Sequence, residues 1–170
     1  MMRRALITLS LTLLALASSA QKFAYVDSEF ILNRIPTYRS AQEQLDRLAA
    51  QYQKEVEDGF ARVEQQYRSF QAEKVLLTED MKNRREEAII AAEREVQELQ
   101  RRYFGRDGLL FKKREELVKP IQDLVFNAIK EIATEGGYAV IFDTAASPNM
   151  LYTNPRYDQS DEVLQKLGYN

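Results

Sequence analysis

The chain has 170 residues, enough for one domain with an appendage, and contains neither Cys nor His. Those two absences exclude disulfides, thiol nucleophiles, His-based acid–base catalysis and zinc sites, and leave only carboxylate, Lys, Tyr or backbone chemistry. Charged residues make up 29% of the chain, yet the formal net charge is −2, so composition offers no bulk attraction to nucleic acid.

Residues 1–20 read as a secretory signal peptide. Arg3 and Arg4 supply a positive start, Ala5 to Ala17 is apolar but short for a membrane span, and Ser18-Ser19-Ala20 offers small residues for cleavage. No Cys follows the apolar run, so a lipid anchor is excluded. The expected mature chain, residues 21–170, is exported and soluble.

Lys22 to Val26 alternates and is β-prone, which predicts a first strand. Asp27-Ser28 can cap a short helix carrying Glu29, Phe30, Ile31 and Ile35, and Pro36 ends it. Residues 37–118 then form the largest stretch. It lacks Pro and is dense in Glu, Gln, Arg, Lys and Ala, all strong helix formers. Leu45, Leu48, Tyr52, Val56, Phe60, Val63, Tyr67 and Phe70 recur in steps of three or four and predict one stripe on one helix face. The pattern breaks at Thr78-Glu79-Asp80 and resumes with Met81, Ala88, Ala92, Val96, Leu99 and Tyr103. This predicts two antiparallel helices joined near 77–80, each roughly 50–60 Å long. Such a hairpin has to project from a body formed by the rest of the chain.

On the returning arm, Gly105 and Gly108 interrupt a helical run, either as a plain break or as a hinge. Arg101, Arg102, Arg106, Lys112, Lys113 and Arg114 surround them, and pairs with Glu98, Glu115 and Glu116 account for most of this cluster. Pro120 predicts a kink or a new helix. Ile121, Leu124, Val125, Ala128, Ile129 and Ile132 predict an amphipathic helix packed on the core, stopped at Gly136-Gly137. Tyr138 to Phe142 is apolar throughout and predicts a strand buried on both faces. After a loop through Ser147-Pro148-Asn149, Met150 to Thr153 predicts a third strand, and Asn154-Pro155 a turn. Ser160 is placed to cap a last helix with Val163, Leu164 and Leu167 on its buried side.

The fold class is α+β, mainly α. The expected organisation is a helical-hairpin arm (37–118) on a small β-rich body (21–36 and 119–170). A body of about 70 residues has a marginal core, and three strands leave edges open. Joining copies through strands 22–26, 138–143 and 150–153 remedies both. The expected oligomer interface is therefore Phe23, Tyr25, Val26, Val140, Ile141, Phe142, Leu151 and Tyr152. The arms also carry Tyr52, Phe60, Tyr67, Phe70, Tyr103, Phe104 and Phe111. A tight two-helix seam favours Leu, Ile and Val, so these rings either pack loosely within the hairpin or leave an apolar face for something else.

Several stretches resemble the Skp/OmpH family of periplasmic chaperones. They are Phe23-Ala24-Tyr25-Val26-Asp27-Ser28, Ile31-Leu32, Ile35-Pro36, Phe104-Gly105-Arg106-Asp107-Gly108 and Phe111-Lys112-Lys113-Arg114. The likeness continues through Lys119-Pro120-Ile121-Gln122-Asp123, Ala128-Ile129, Tyr138 to Asp143, Leu151-Tyr152 and Asp161-Glu162-Val163-Leu164. It spans the expected mature chain in order. The resemblance implies a jellyfish-shaped homotrimer whose arms enclose a cavity. Unfolded outer-membrane β-barrel proteins are held there before insertion, without ATP. With composition and the missing His and Cys, no cofactor, metal or nucleic-acid partner is expected. The resemblance makes Tyr52, Phe60, Tyr67, Phe70, Tyr103, Phe104 and Phe111 the expected client contacts, with Gly105 and Gly108 as an expected hinge. Some members are strongly basic and contact anionic lipid or lipopolysaccharide; this chain is not. Lys74, Lys82, Arg84 and Arg85 near the tip could make such contact, but Glu73, Glu79, Asp80, Glu86 and Glu87 offset them and leave little net field, which favours a solvated tip. The competing reading is an exported coiled-coil scaffold or adaptor of the cell envelope. An enzyme would have to rely on Asp27, Glu29 or Asp143, and Asp27 and Asp143 sit where caps and strand ends are expected.

Overall fold

The structure is a computed structural model and describes residues 21–147 and 149–169. Residues 1–20, expected as a signal peptide, Pro148 and Asn170 lie outside the described residues. In chain order the elements are β1 (Lys22–Val26), α1 (Ser28–Arg34), α2 (Pro36–Glu73), α3 (Glu79–Phe104), α4 (Leu109–Gly136), β2 (Tyr138–Asp143) and α5 (Ser160–Lys166). Short 3-10 turns cover Lys74–Leu76 and Pro155–Tyr157. The protein is α+β and mainly α, with a long antiparallel helical hairpin. It divides into two compact units, one of residues 33–123 and one of the segments flanking them.

In the hairpin unit, α2 and α3 meet along a seam of Val56, Val63 and Phe70 against Ile89, Val96 and Tyr103. Each set is spaced by seven residues, the repeat that keeps an apolar seam facing a partner helix. Tyr52, Leu77, Ala92 and Leu99 pack beside it. Gly59 lets the helices approach closely, because a Cβ there would lie 2.9 Å from Cγ2 of Val96. Thr78 opens α3, its hydroxyl accepting from the Met81 N–H at 3.4 Å, with Glu79 and Asp80 in the positive first turn.

The returning arm breaks where the two glycines stand. α3 ends at Phe104, the Gly105 N–H donates to Arg101 O at 2.8 Å, and the Gly108 N–H to Gly105 O at 2.9 Å. A Cβ on Gly105 would meet Arg101 O at 2.4 Å, and one on Gly108 would meet Tyr103 O at 2.6 Å. The close backbone approach is what requires glycine here. Beyond the break, Val118 of α4 is buried with Ala41 and Leu45 of α2, flanked by Tyr38, Leu110, Leu117 and Ile121. Pro120 neither ends α4 nor starts a new helix; it lies inside it. Packing of Val118 just before it offsets the backbone bond that proline removes.

In the other unit, β1 and β2 pair in parallel, with Phe23 opposite Val140 and Tyr25 opposite Phe142. The end of β1 is tied down by short polar contacts. Asp27 Oδ1 accepts from the Phe30 N–H at 2.9 Å and so caps α1. Asp143 at the end of β2 accepts from the Ser28 N–H at 3.1 Å and from its hydroxyl at 2.7 Å. The Asp27 N–H donates to Ser160 Oγ at 2.9 Å. Ser160 therefore clamps the end of β1 rather than capping α5, whose preceding Gln159 makes no side-chain cap bond. Ile31, Val26 and Val163 are the most deeply buried large side chains.

Three further expectations fail in this unit. The sheet has two strands, not three, because Met150–Thr153 pairs with no strand among the described residues. β2 is not buried on both faces, since Val140 and Phe142 are exposed. On α4, Val125 and Ala128 are buried but Leu124 is exposed. Successive helical residues are about 100° apart, so Leu124 and Val125 cannot share one contact line.

Candidate functional site

Among the described residues no group of three or more His, Cys, Asp or Glu side chains is arranged to hold a metal ion. No described helix is long and apolar enough to cross a membrane.

The aromatic residues of the hairpin separate into two sets. Phe70 and Tyr103 are buried in the α2–α3 seam and have no free face. Tyr52 is half-buried and stacks on Tyr103, ring centroids 4.0 Å apart and planes 7° from parallel, with Phe104 edge-on to both at 6.4 Å. The Tyr103 hydroxyl donates to the Glu55 carboxylate. That bond holds the Glu55 carboxyl below the usual carboxylate range, helped by Gln51 and the Arg102 charge. The same bond pushes the Tyr103 hydroxyl above its usual value. These rings clasp the hairpin next to the glycine break and serve packing first.

Phe60, Tyr67 and Phe111 form the second set, joined by the outer side of Phe104. They are exposed, with Phe60 at 41% and Tyr67 at 52% of their full accessible surface. Phe60 and Tyr67 follow the seam residues Val56 and Val63 by four positions. Four residues advance a helix by 400°, so each ring stands about 40° past the seam. The eight apolar positions on α2 are thus not one buried stripe: Leu45, Val56, Val63 and Phe70 are buried, while Phe60 and Tyr67 line a groove of about 630 Å³ beside the seam.

At the tip, every basic side chain expected to reach an anionic surface has a carboxylate partner. Lys74 pairs with Glu86 at 3.7 Å, Lys82 with Glu79 at 2.7 Å, Arg84 with Asp80 at 2.9 Å and Arg85 with Glu73 at 3.1 Å. Between them stand two exposed apolar residues, Val75 and Leu76, which charge reasoning passed over.

The residues expected at an oligomer interface also divide. Val26 is 2% exposed and belongs to the core of its own chain, so it presents nothing to a partner. Its alternation with Tyr25 carried the signal, because successive strand residues face opposite ways. Tyr25 and Ile141 are half-buried. Phe23, Val140 and Phe142 are exposed, as are Leu151 at 97% and Tyr152 at 80%. Phe23, Tyr25, Phe142, Tyr152 and Tyr157 line a concavity of about 740 Å³ on this unit. Phe126 of α4 was also missed and is exposed.

Residues 22–167 match the protein family described as outer membrane protein (OmpH-like). A crystal structure of a Caulobacter crescentus CB15 protein, described as an OmpH-like outer membrane chaperone, is similar in fold. It is 13% identical, and the match covers 89% of this chain and 86% of that chain at a TM-score of 0.66. No curated protein matches the sequence.

Proposed function

The chain belongs to the OmpH-like outer membrane protein family, and on that premise we propose that it is an ATP-independent holdase of the periplasm. In this reading, residues 1–20 direct export and are removed. Copies assemble, as a homotrimer, through the exposed apolar face of the β unit at Phe23, Val140, Phe142, Leu151 and Tyr152. Residues 37–118 of each copy form an arm, and the arms hold unfolded outer-membrane β-barrel proteins until insertion. The proposed client contacts are Phe60, Tyr67, Phe104 and Phe111, with Tyr52 at the margin; Phe70 and Tyr103 hold the hairpin itself. No chemical step is involved.

The observation that carries this reading is the exposure of Phe60 and Tyr67 on a hairpin whose seam is complete without them. Exposed rings cost solubility unless they meet a partner, and amphipathic rings accept many sequences. The tip bases, each paired with a carboxylate, have little net field, and the reading makes no use of them toward lipid. Gly105 and Gly108 permit bending between the α2–α3 and α2–α4 contacts, and arm mobility there is part of the proposal.

The test is the molar mass of residues 21–170 by light scattering, alone and with a urea-unfolded outer-membrane barrel diluted into it. A trimer that keeps the barrel soluble in a defined complex is the expected result. A monomer or dimer that lets the barrel aggregate overturns the reading and favours an envelope scaffold with one saturable partner.

A further inference from the structure

The groove at Phe60 and Tyr67 has a charge that composition conceals. Its walls are Phe60, Val63 and Tyr67, and its rim carries Glu57, Glu64 and Glu93. No basic side chain lines it. Arg68 pairs with Glu64 outside the groove. Among the described residues Glu57 accepts only a neutral amide, that of Gln53 at 2.8 Å. Glu93 forms no ion pair among the described residues. The groove therefore keeps two uncompensated carboxylates around an exposed apolar floor. A second groove on the hairpin, about 450 Å³ beside Gly59, is different: Arg62 and Arg102 balance Glu95 and Glu98 there.

We infer that the Phe60–Tyr67 groove selects cationic amphipathic segments, extended stretches of unfolded protein in which aromatic or branched residues alternate with Lys or Arg. The inference rests on the holdase reading and names the client chemistry of its arm. Apolar side chains cover Phe60, Val63 and Tyr67, and ammonium or guanidinium groups on the next positions reach Glu57 and Glu93. Neighbouring residues of an extended chain point to opposite sides about 3.3 Å apart, so with the apolar side chains on the floor the Lys and Arg heads reach the rim by folding their long flexible stems back along it. A segment that alternates with Asp or Glu places like charge on the same rim and is rejected. The rim is exposed, so each contact is weak and salt-sensitive; selection comes from attraction for one segment and repulsion of the other.

The test uses the assembled protein, residues 21–170, and two fluorescent twelve-residue peptides. Both alternate Val, Tyr and Phe with a charged residue, Lys in one and Glu in the other. Affinities are read by anisotropy at low and moderate salt, beside suppression of barrel aggregation. The Lys peptide is expected to bind about tenfold more tightly at low salt, from two pairs gained and two repulsions avoided. The gap closes in the Glu57→Gln/Glu93→Gln variant and widens in Arg68→Gln, which frees Glu64. Both variants alter exposed side chains only and are expected to keep the helical signal. Equal binding of the two peptides, or a preference for the Glu peptide, by a protein that still holds the barrel overturns the inference and leaves the holdase reading standing. Failure to hold the barrel and to bind either peptide removes both.

Discussion

The seam of the helical hairpin and the sheet face of the other unit are both apolar, but only the first is satisfied within one chain. Val56, Val63, Phe70, Ile89, Val96 and Tyr103 bury one another. Phe23, Val140, Phe142, Leu151 and Tyr152 leave much of their surface open. The lesson concerns periodicity. Two helices carrying the same seven-residue repeat complete each other's burial, whereas two paired strands cover one edge and leave faces bare.

Deleting a seam ring is the strongest way to break this contrast. Phe70→Ala is expected to cost about 3–5 kcal/mol, read as a lower urea midpoint of the helical circular dichroism signal. A loss below about 1 kcal/mol would mean the seam is not the hairpin's core. Gly59→Ala has a smaller effect because two terms oppose. Overlap with Val96, a stiff side chain, costs about 1–3 kcal/mol, and better helix propensity returns about 1 kcal/mol. A net loss near 1 kcal/mol is expected in the same assay, and net stabilisation would show that the helices separate easily.

Acid sharpens the comparison further. The Glu55 carboxyl is depressed by the Tyr103 hydroxyl. Its contribution is present above the ordinary carboxylate range and is lost as pH falls through the lower folded value. Tyr103 is raised by the same bond, so its contribution is complete below the usual tyrosine range and is lost as pH rises through the higher folded value. Glu55→Gln should reduce the acid-side dependence of hairpin stability, seen by comparing urea midpoints at neutral and acid pH; the remainder belongs to Glu79, whose carboxyl the Lys82 ammonium also holds below the usual range. An unchanged acid dependence assigns it to another carboxylate.

The smallest effects on folding belong to the exposed set. Phe60→Ala with Tyr67→Ala, and separately Leu151→Ser, should each change chain stability by no more than about 0.5 kcal/mol per site. The first pair should still weaken client holding, and Leu151→Ser should lower the molar mass of the assembly. A large loss of chain stability from Leu151→Ser would show that residue 151 has a partner within its own chain.

The elements were largely legible in the residues. Low helix-breaker content predicted α2 and α3, Thr78-Glu79-Asp80 marked the opening of α3, and the β-prone runs at 22–26 and 138–142 are the two strands. Asp27 caps as its position suggested, because a cap needs only local backbone. The two expectations that failed here each turned on a neighbour. Met150–Thr153 has strand composition but no strand beside it, and Pro120 sits inside a helix that packing sustains.

Sequence alone therefore determined the helical hairpin, its turn, its glycine break and the family pattern, since propensity, capping and backbone sterics act within a few residues. Tertiary structure alone decided which apolar residues are core and which are surface. Steps of three and four on α2 allow two overlapping stripes, one through Val56 and Val63 and one through Phe60 and Tyr67. Only the opposing helix, with Ile89, Val96 and Tyr103 at intervals of seven, selects the first and leaves the second exposed.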